Sequence, residues 1–175
     1  VLDRSGSINA SELLTLKTAA HAFVDALSPS TDGTHVGQSS FSSAATLNQH
    51  LTGEEEDIQL AINGLSSGGT TDLEAGITLA IGELDNVHIH ERPAVKDVIA
   101  IITDGNPNVP SEAQGRLDAA AAADAARAAG IEVFVVGVGA DVDATFLQTD
   151  IADDAAHYFA AADFDDLQAI LEALV

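Results

Sequence analysis

Cysteine, methionine and tryptophan are absent from this 175-residue sequence, aromatic residues make up 4% of it, and six lysines and arginines stand against 28 aspartates and glutamates. Each shortage removes a class of function. Without cysteine there is no thiol nucleophile, no disulfide framework and no thiolate metal centre. The scarcity of basic residues leaves a net charge of −22, which repels phosphate backbones and anionic headgroups, so neither nucleic acid nor a membrane surface is an expected partner. No apolar run approaches the ~18 residues of a membrane span, and direct membrane insertion is not expected. The chain also lacks an initiator methionine and reaches Asp3 after two residues. It reads as a piece of a longer protein, with the upstream part of its first strand missing.

What is present is a regular apolar pattern. At 46% hydrophobic residues the chain is long enough to bury one core and too short for two, so a single domain over residues 1–175 is expected. The acidic residues lie among those apolar positions rather than in a tail, which argues for a solvated acidic shell and against disorder. Leu13, Leu16, Ala20, Phe23, Val24 and Leu27 recur at helical spacing, behind an Asn9 cap that Glu12 can reciprocate. "THVGQSSF" and "ATLNQHL" read as two short antiparallel strands joined near Ser42 and Ser43. Two helices follow, the second bearing the capping pattern Thr71 with Glu74. "DVIAIITD" and "IEVFVVGVG" are unbroken apolar runs on either side of an alanine-rich helix, the mark of central parallel strands joined by a crossover. "HYFAA" reads as a last strand and "DFDDLQAILEALV" as a closing helix. The expected fold class is α/β: a doubly wound, mostly parallel central sheet with helices on both faces and one antiparallel edge strand.

In such sheets ligands bind beyond the carboxyl ends of the strands. Three loops there carry oxygen donors: "DRSGS" after the first strand, "GGTTD" before the third helix and "TDGNPN" after "VIAII". Asp3, Ser5 and Ser7 stand at every second position, with Gly6 allowing a turn, and can aim three oxygens at one point. Thr70 adds a hydroxyl and Asp104 a second carboxylate. Five hard oxygen donors suit an octahedral Mg2+ with one position left open, Mn2+ and Ca2+ being the alternatives. Two carboxylates neutralise such an ion, but neutral hydroxyls leave it attractive to another carboxylate. A partner's Asp or Glu is the expected ligand.

"DRSGS", "GGT" and "TDG", in that order and on those elements, resemble the von Willebrand factor type A domain and its metal-ion-dependent adhesion site. "GVGADVD" and "HYFAAADFDDLQAIL" extend the similarity over nearly the whole chain. The resemblance implies a Rossmann-like sheet and a non-enzymatic adhesion or assembly module. It also implies that Ser5, Ser7 and Thr70 are ligand hydroxyls, with Asp3 and Asp104 bound directly or through water. Asp72 departs from the family's usual second threonine.

Other polar groupings have plainer readings. Thr71 and Asp72 read as helix caps, "HIH" at His88 to His90 as a solvated loop, and Glu54 to Asp57 as an acidic first turn. Asp141, Asp143 and Asp150 lack the glycine and glutamate of a calcium loop and read as surface. Two other functions compete with the binding module: a structural spacer in a large surface protein, and a magnesium-dependent aspartyl phosphotransferase using Asp3. The second wants an acid/base aspartate two residues on, where Ser5 stands. The acidic surface points to the cell surface or exterior, a cytoplasmic assembly module being the alternative.

Overall fold

The two unbroken apolar runs become neighbouring parallel strands at the heart of the sheet, paired from Val98↔Glu132 to Thr103↔Gly137. In the computed structural model, which describes residues 1–85, 92 and 94–174, the strands are β1 (Leu2–Asp3), β2 (Val36–Phe41), β3 (Ala45–Thr52), β4 (Val98–Thr103), β5 (Glu132–Val138) and β6 (Tyr158–Ala161). They form one sheet in the order β3-β2-β1-β4-β5-β6. Among the described strands only β3 runs antiparallel to its neighbour, as its tight turn requires. Its register against β2 slips twice, between Val36 and Gln38 and between Gln38 and Ser39, so β3 carries extra residues over half the ladder.

Alternate side chains of the strands enter opposite layers. Leu2, Ile102, Val136 and Val138 face α1 (Ala10–Leu27), α2 (Glu55–Asn63) and α6 (Leu167–Glu172). Phe41, Ile99, Ile101, Val133 and Val135 face α3 (Leu73–Glu83), α4 (Glu112–Ala128) and the short α5 (Ala144–Phe146), which continues into a π-turn over Leu147–Ile151. The alanines of α4 are its buried stripe: Ala119, Ala122, Ala123 and Ala126 let the helix lie close to the sheet.

Helix starts show where local pattern sufficed. Asn9 Oδ1 accepts from the Ser11 and Glu12 amides while Glu12 Oε2 accepts from the Asn9 amide, the reciprocal box expected. At α3 the expected Thr71–Glu74 box does not form. Asp72 is the cap, accepting from the Ala75 amide at 3.2 Å. Thr71 is buried instead, its amide donating to Asn108 Oδ1. The closing helix is also shorter than its apolar spacing suggested: Phe164 is buried ahead of it, in the turn. The "HIH" segment lies outside the described residues.

Candidate metal centre

Asp3 ends β1 at the middle of the sheet and is fully buried. The chain then leaves the sheet and turns through residues 4–8 into α1. The Ser5 amide donates to Asp3 Oδ1 at 2.8 Å and Thr103 Oγ1 donates to Asp3 Oδ2 at 2.6 Å, so both carboxylate oxygens are fixed in direction. Ser5 Oγ lies 3.0 Å from Ser7 Oγ, and Ser7 Oγ donates to Asp104 Oδ1 at 2.9 Å. Four of the five expected residues are thus joined in one hydrogen-bonded network at the carboxyl ends of β1 and β4.

Thr70 arrives on a separate loop that is stitched to the first. The Gly6 amide donates to the Gly69 carbonyl at 3.0 Å and the Gly68 amide to the Arg4 carbonyl at 2.8 Å. Gly6 is needed here for closeness: a Cβ would sit 3.0 Å from the Gly69 oxygen. Gly69 has φ +88, which only glycine adopts readily, and a Cβ there would meet Ser43 Oγ at 2.5 Å. Ser43 Oγ instead accepts from both the Thr70 amide, at 3.0 Å, and the Thr70 hydroxyl, at 2.9 Å. The structure therefore places Thr70 beside the network through its loop, with its own side chain turned to Ser43.

Burial holds both carboxylates toward their protonated forms. Asp3 is pushed up to about 6 by desolvation, against the hydrogen bonds from Thr103 and Ser5, with the charge of Asp104 adding to the rise. Asp104 is also raised, first by burial, while Ser7 opposes and the charges of Glu12 and Asp141 reinforce. Two acids that repel each other next to convergent hydroxyl oxygens form a donor set that a divalent cation fits, because the cation removes the repulsion and takes the lone pairs.

The third loop is braced by residues whose role local pattern did not show. Asn106 Nδ2 donates to the Asp141 carbonyl while its Oδ1 accepts from the Asp143 amide. Asp143 is more than the surface acid expected: it caps α5 through the Phe146 amide and pairs with Arg116 at 2.8 Å. Thr103 lies in "TDG" and Asn108 in "TDGNPN", whereas Ser43 belongs to neither loop motif. A cavity of about 730 Å³, lined by Val1, Leu2, Val36, Ile99 and Leu174 among others, lies away from this cluster, toward the opposite ends of the strands. Asp3 and Ser5 form the buried floor of the cluster, while Ser7 and Thr70 are exposed and Asp104 is half-buried.

The family model for the von Willebrand factor type A domain matches residues 1–173. The chain belongs to that family. Solved structures with the type A fold agree. A mussel byssus protein, proximal thread matrix protein 1 with a zinc-occupied MIDAS motif, is 22% identical with a TM-score of 0.79, the match covering 99% of this chain and 44% of that one. The manganese-loaded TRAP protein of Plasmodium vivax is 19% identical with a TM-score of 0.77, over 97% of this chain and 69% of that one. The type V pili tip protein Mfa5 of Porphyromonas gingivalis is 14% identical with a TM-score of 0.80, over 99% of this chain and 91% of that one. This type A chain spans less than half of the mussel protein.

Proposed function

We propose that this type A domain is a metal-dependent protein-binding module in which Asp3, Ser5, Ser7, Thr70 and Asp104 hold one Mg2+ and a partner's Asp or Glu carboxylate completes the shell. The observation that carries the reading is the convergence of two carboxylates, both held above their usual pKa, on one chain of hydroxyls. When bound, the cation supplies a positive centre that two carboxylates neutralise and that still attracts a further anionic oxygen.

The residues do the rest. Thr103 and the Ser5 amide fix Asp3, and Ser7 fixes Asp104. Ser43 takes the Thr70 hydrogen, which leaves that oxygen's lone pairs for a cation. Ser5, where an aspartyl phosphotransferase would need an acid, is bonded to Ser7, which supports a non-enzymatic role. The zinc-occupied and manganese-loaded relatives support a divalent ion, and a pilus tip and a byssal thread protein support adhesion at the cell surface or exterior.

Titration calorimetry is the test. One Mg2+ or Mn2+ per chain is expected in the wild type and binding weaker by at least about tenfold in Asp104→Ala, a loss on the scale of removing a charged ligand. Equal binding by both proteins would overturn the site. An acidic peptide captured in Mg2+ should be released by a chelator; capture that never depends on Mg2+ would leave the domain a spacer.

A further inference from the structure

A second cluster of metal-ligating side chains lies at the other end of the sheet. Glu132 opens β5, His157 immediately precedes β6, and Asp153 stands on the segment between the π-turn and β6, its amide donating to the Val133 carbonyl at 3.1 Å. All three are partly buried, and one ligand atom from each lies within 4.8 Å of the others.

The imidazole is oriented from its far side. His157 Nδ1 is 2.7 Å from Asp154 Oδ1, and its ring packs on Phe134 with centroids 4.4 Å apart. A carboxylate on one ring nitrogen sets the tautomer and aims the other nitrogen, the usual support behind a metal-bound histidine. Nε2 is thereby aimed at Glu132 Oε1, 3.1 Å away. With the ring hydrogen spent on Asp154, that approach of lone pair to carboxylate oxygen is favourable only with a cation between them, a proton or a metal. Lys96 occupies the other oxygen, Glu132 Oε2, at 2.7 Å and leaves Oε1 to the cluster.

Asp153 decides between the two cations. Its Oδ1 is buried and has no hydrogen-bond partner among the described residues, a costly state for an acceptor in the interior. A proton on His157 satisfies Glu132 and Asp154 and leaves Asp153 Oδ1 orphaned. A metal ion draws one oxygen from Glu132, one from Asp153 and a nitrogen from His157, ligand atoms that all lie within 4.8 Å of one another.

We propose that Glu132, Asp153 and His157 bind a zinc ion that staples β5 to the edge strand β6. One imidazole with two carboxylates suits zinc better than magnesium, which prefers an all-oxygen octahedron. The two carboxylates neutralise the ion. Zinc bonds of about 2.0–2.2 Å place tetrahedral ligand atoms about 3.3–3.6 Å apart. The 3.1 Å pair is already close to this spacing, an Asp153 oxygen stands within 4.8 Å of both atoms, and water takes the fourth position.

Cobalt(II) tests the site, since it colours a tetrahedral site containing imidazole strongly and an octahedral all-oxygen site only weakly. Titration should give an intense visible band, displaced by zinc, in the wild type and in Asp104→Ala. Asp153→Asn and His157→Gln should weaken zinc binding by about tenfold or more. Asp153→Asn keeps the side chain's size, so metal-free thermal melting separates a ligand effect from a folding effect. No band in the wild type, or a band of equal strength in Asp153→Asn, would overturn the proposal.

Discussion

Asp3 is the residue on which the candidate metal centre turns, and its environment makes it a poor anion until a cation arrives. Its folded pKa, about 6, lies above the unfolded value of 3.8. In the metal-free protein the native state therefore binds the proton more tightly than the unfolded state, and the stability this lends is full below about pH 4 and lost as pH rises through about 6. Metal-free melts should show that fall, saturating Mg2+ should remove it, and metal affinity should climb over the same interval with release of a proton. A metal-free melting temperature that rises from pH 4 to pH 6 would contradict the sign. Thr103→Val deletes the 2.6 Å donor to Asp3 Oδ2 without changing side-chain shape. It should move the pH midpoint of metal binding upward, whereas a purely structural threonine would alter stability alone. The Thr103 contact spans 100 positions, so the threonine was visible in the sequence while its partner was not. That Asp3, Ser5, Ser7 and Asp104 lie together was legible, because their loops follow apolar strands of one sheet. The place of Ser43 was not, since only folding brings it to Thr70.

At the scale of elements, the helix starts separate local from tertiary causes. The Asn9 box is closed within four residues and depends on nothing else, so its pattern was sufficient. The Thr71–Glu74 pattern failed because Asn108, 37 positions away, draws the Thr71 backbone inward and leaves the cap to Asp72. Asp72→Ala should therefore cost about 1 kcal/mol of stability, in the usual range for a cap, and Glu74→Ala much less. Chemical denaturation of the two variants makes the comparison, and a larger loss in Glu74→Ala would restore the rejected box. The same helix approaches the sheet at Gly76, where a Cβ would stand 2.8 Å from Cδ1 of the fully buried Phe41. Gly76→Ala gains helix propensity of about 1 kcal/mol and meets an overpacking penalty of about 1–3 kcal/mol. The expected outcome is a net loss of stability, together with weaker Mg2+ binding because α3 starts just beyond Thr70. Gly76→Ala with unchanged calorimetry would show that α3 can shift without moving its loop.

Over the whole molecule, strand type could be read from apolar runs, because burial on both faces suppresses alternation. Strand order could not, since nothing in a run names its neighbour. The −22 net charge acts at this scale too. Like charges crowd in the folded state more than in the expanded chain, and salt screens them within a Debye length of about 8 Å at physiological ionic strength. Thermal melting in rising KCl should therefore give a rising midpoint, and a flat or falling curve would mean that the acidic shell imposes no strain.

Screening has a second face, which falls on β3. This edge strand of eight residues contains no lysine and no proline, two of the devices that ordinarily discourage a neighbouring chain from adding its own strand. Like charge on every copy opposes such pairing in dilute salt, and added KCl screens that repulsion. The strand keeps its double slip in register against β2. Extra residues twist an edge and break the even row of amide and carbonyl groups that a visiting strand would need. In concentrated salt the guard against edge-to-edge pairing therefore passes from the 28 acids to the local geometry of β3, its two extra residues and the Leu51 amide held by Glu83 Oε1 at 2.8 Å.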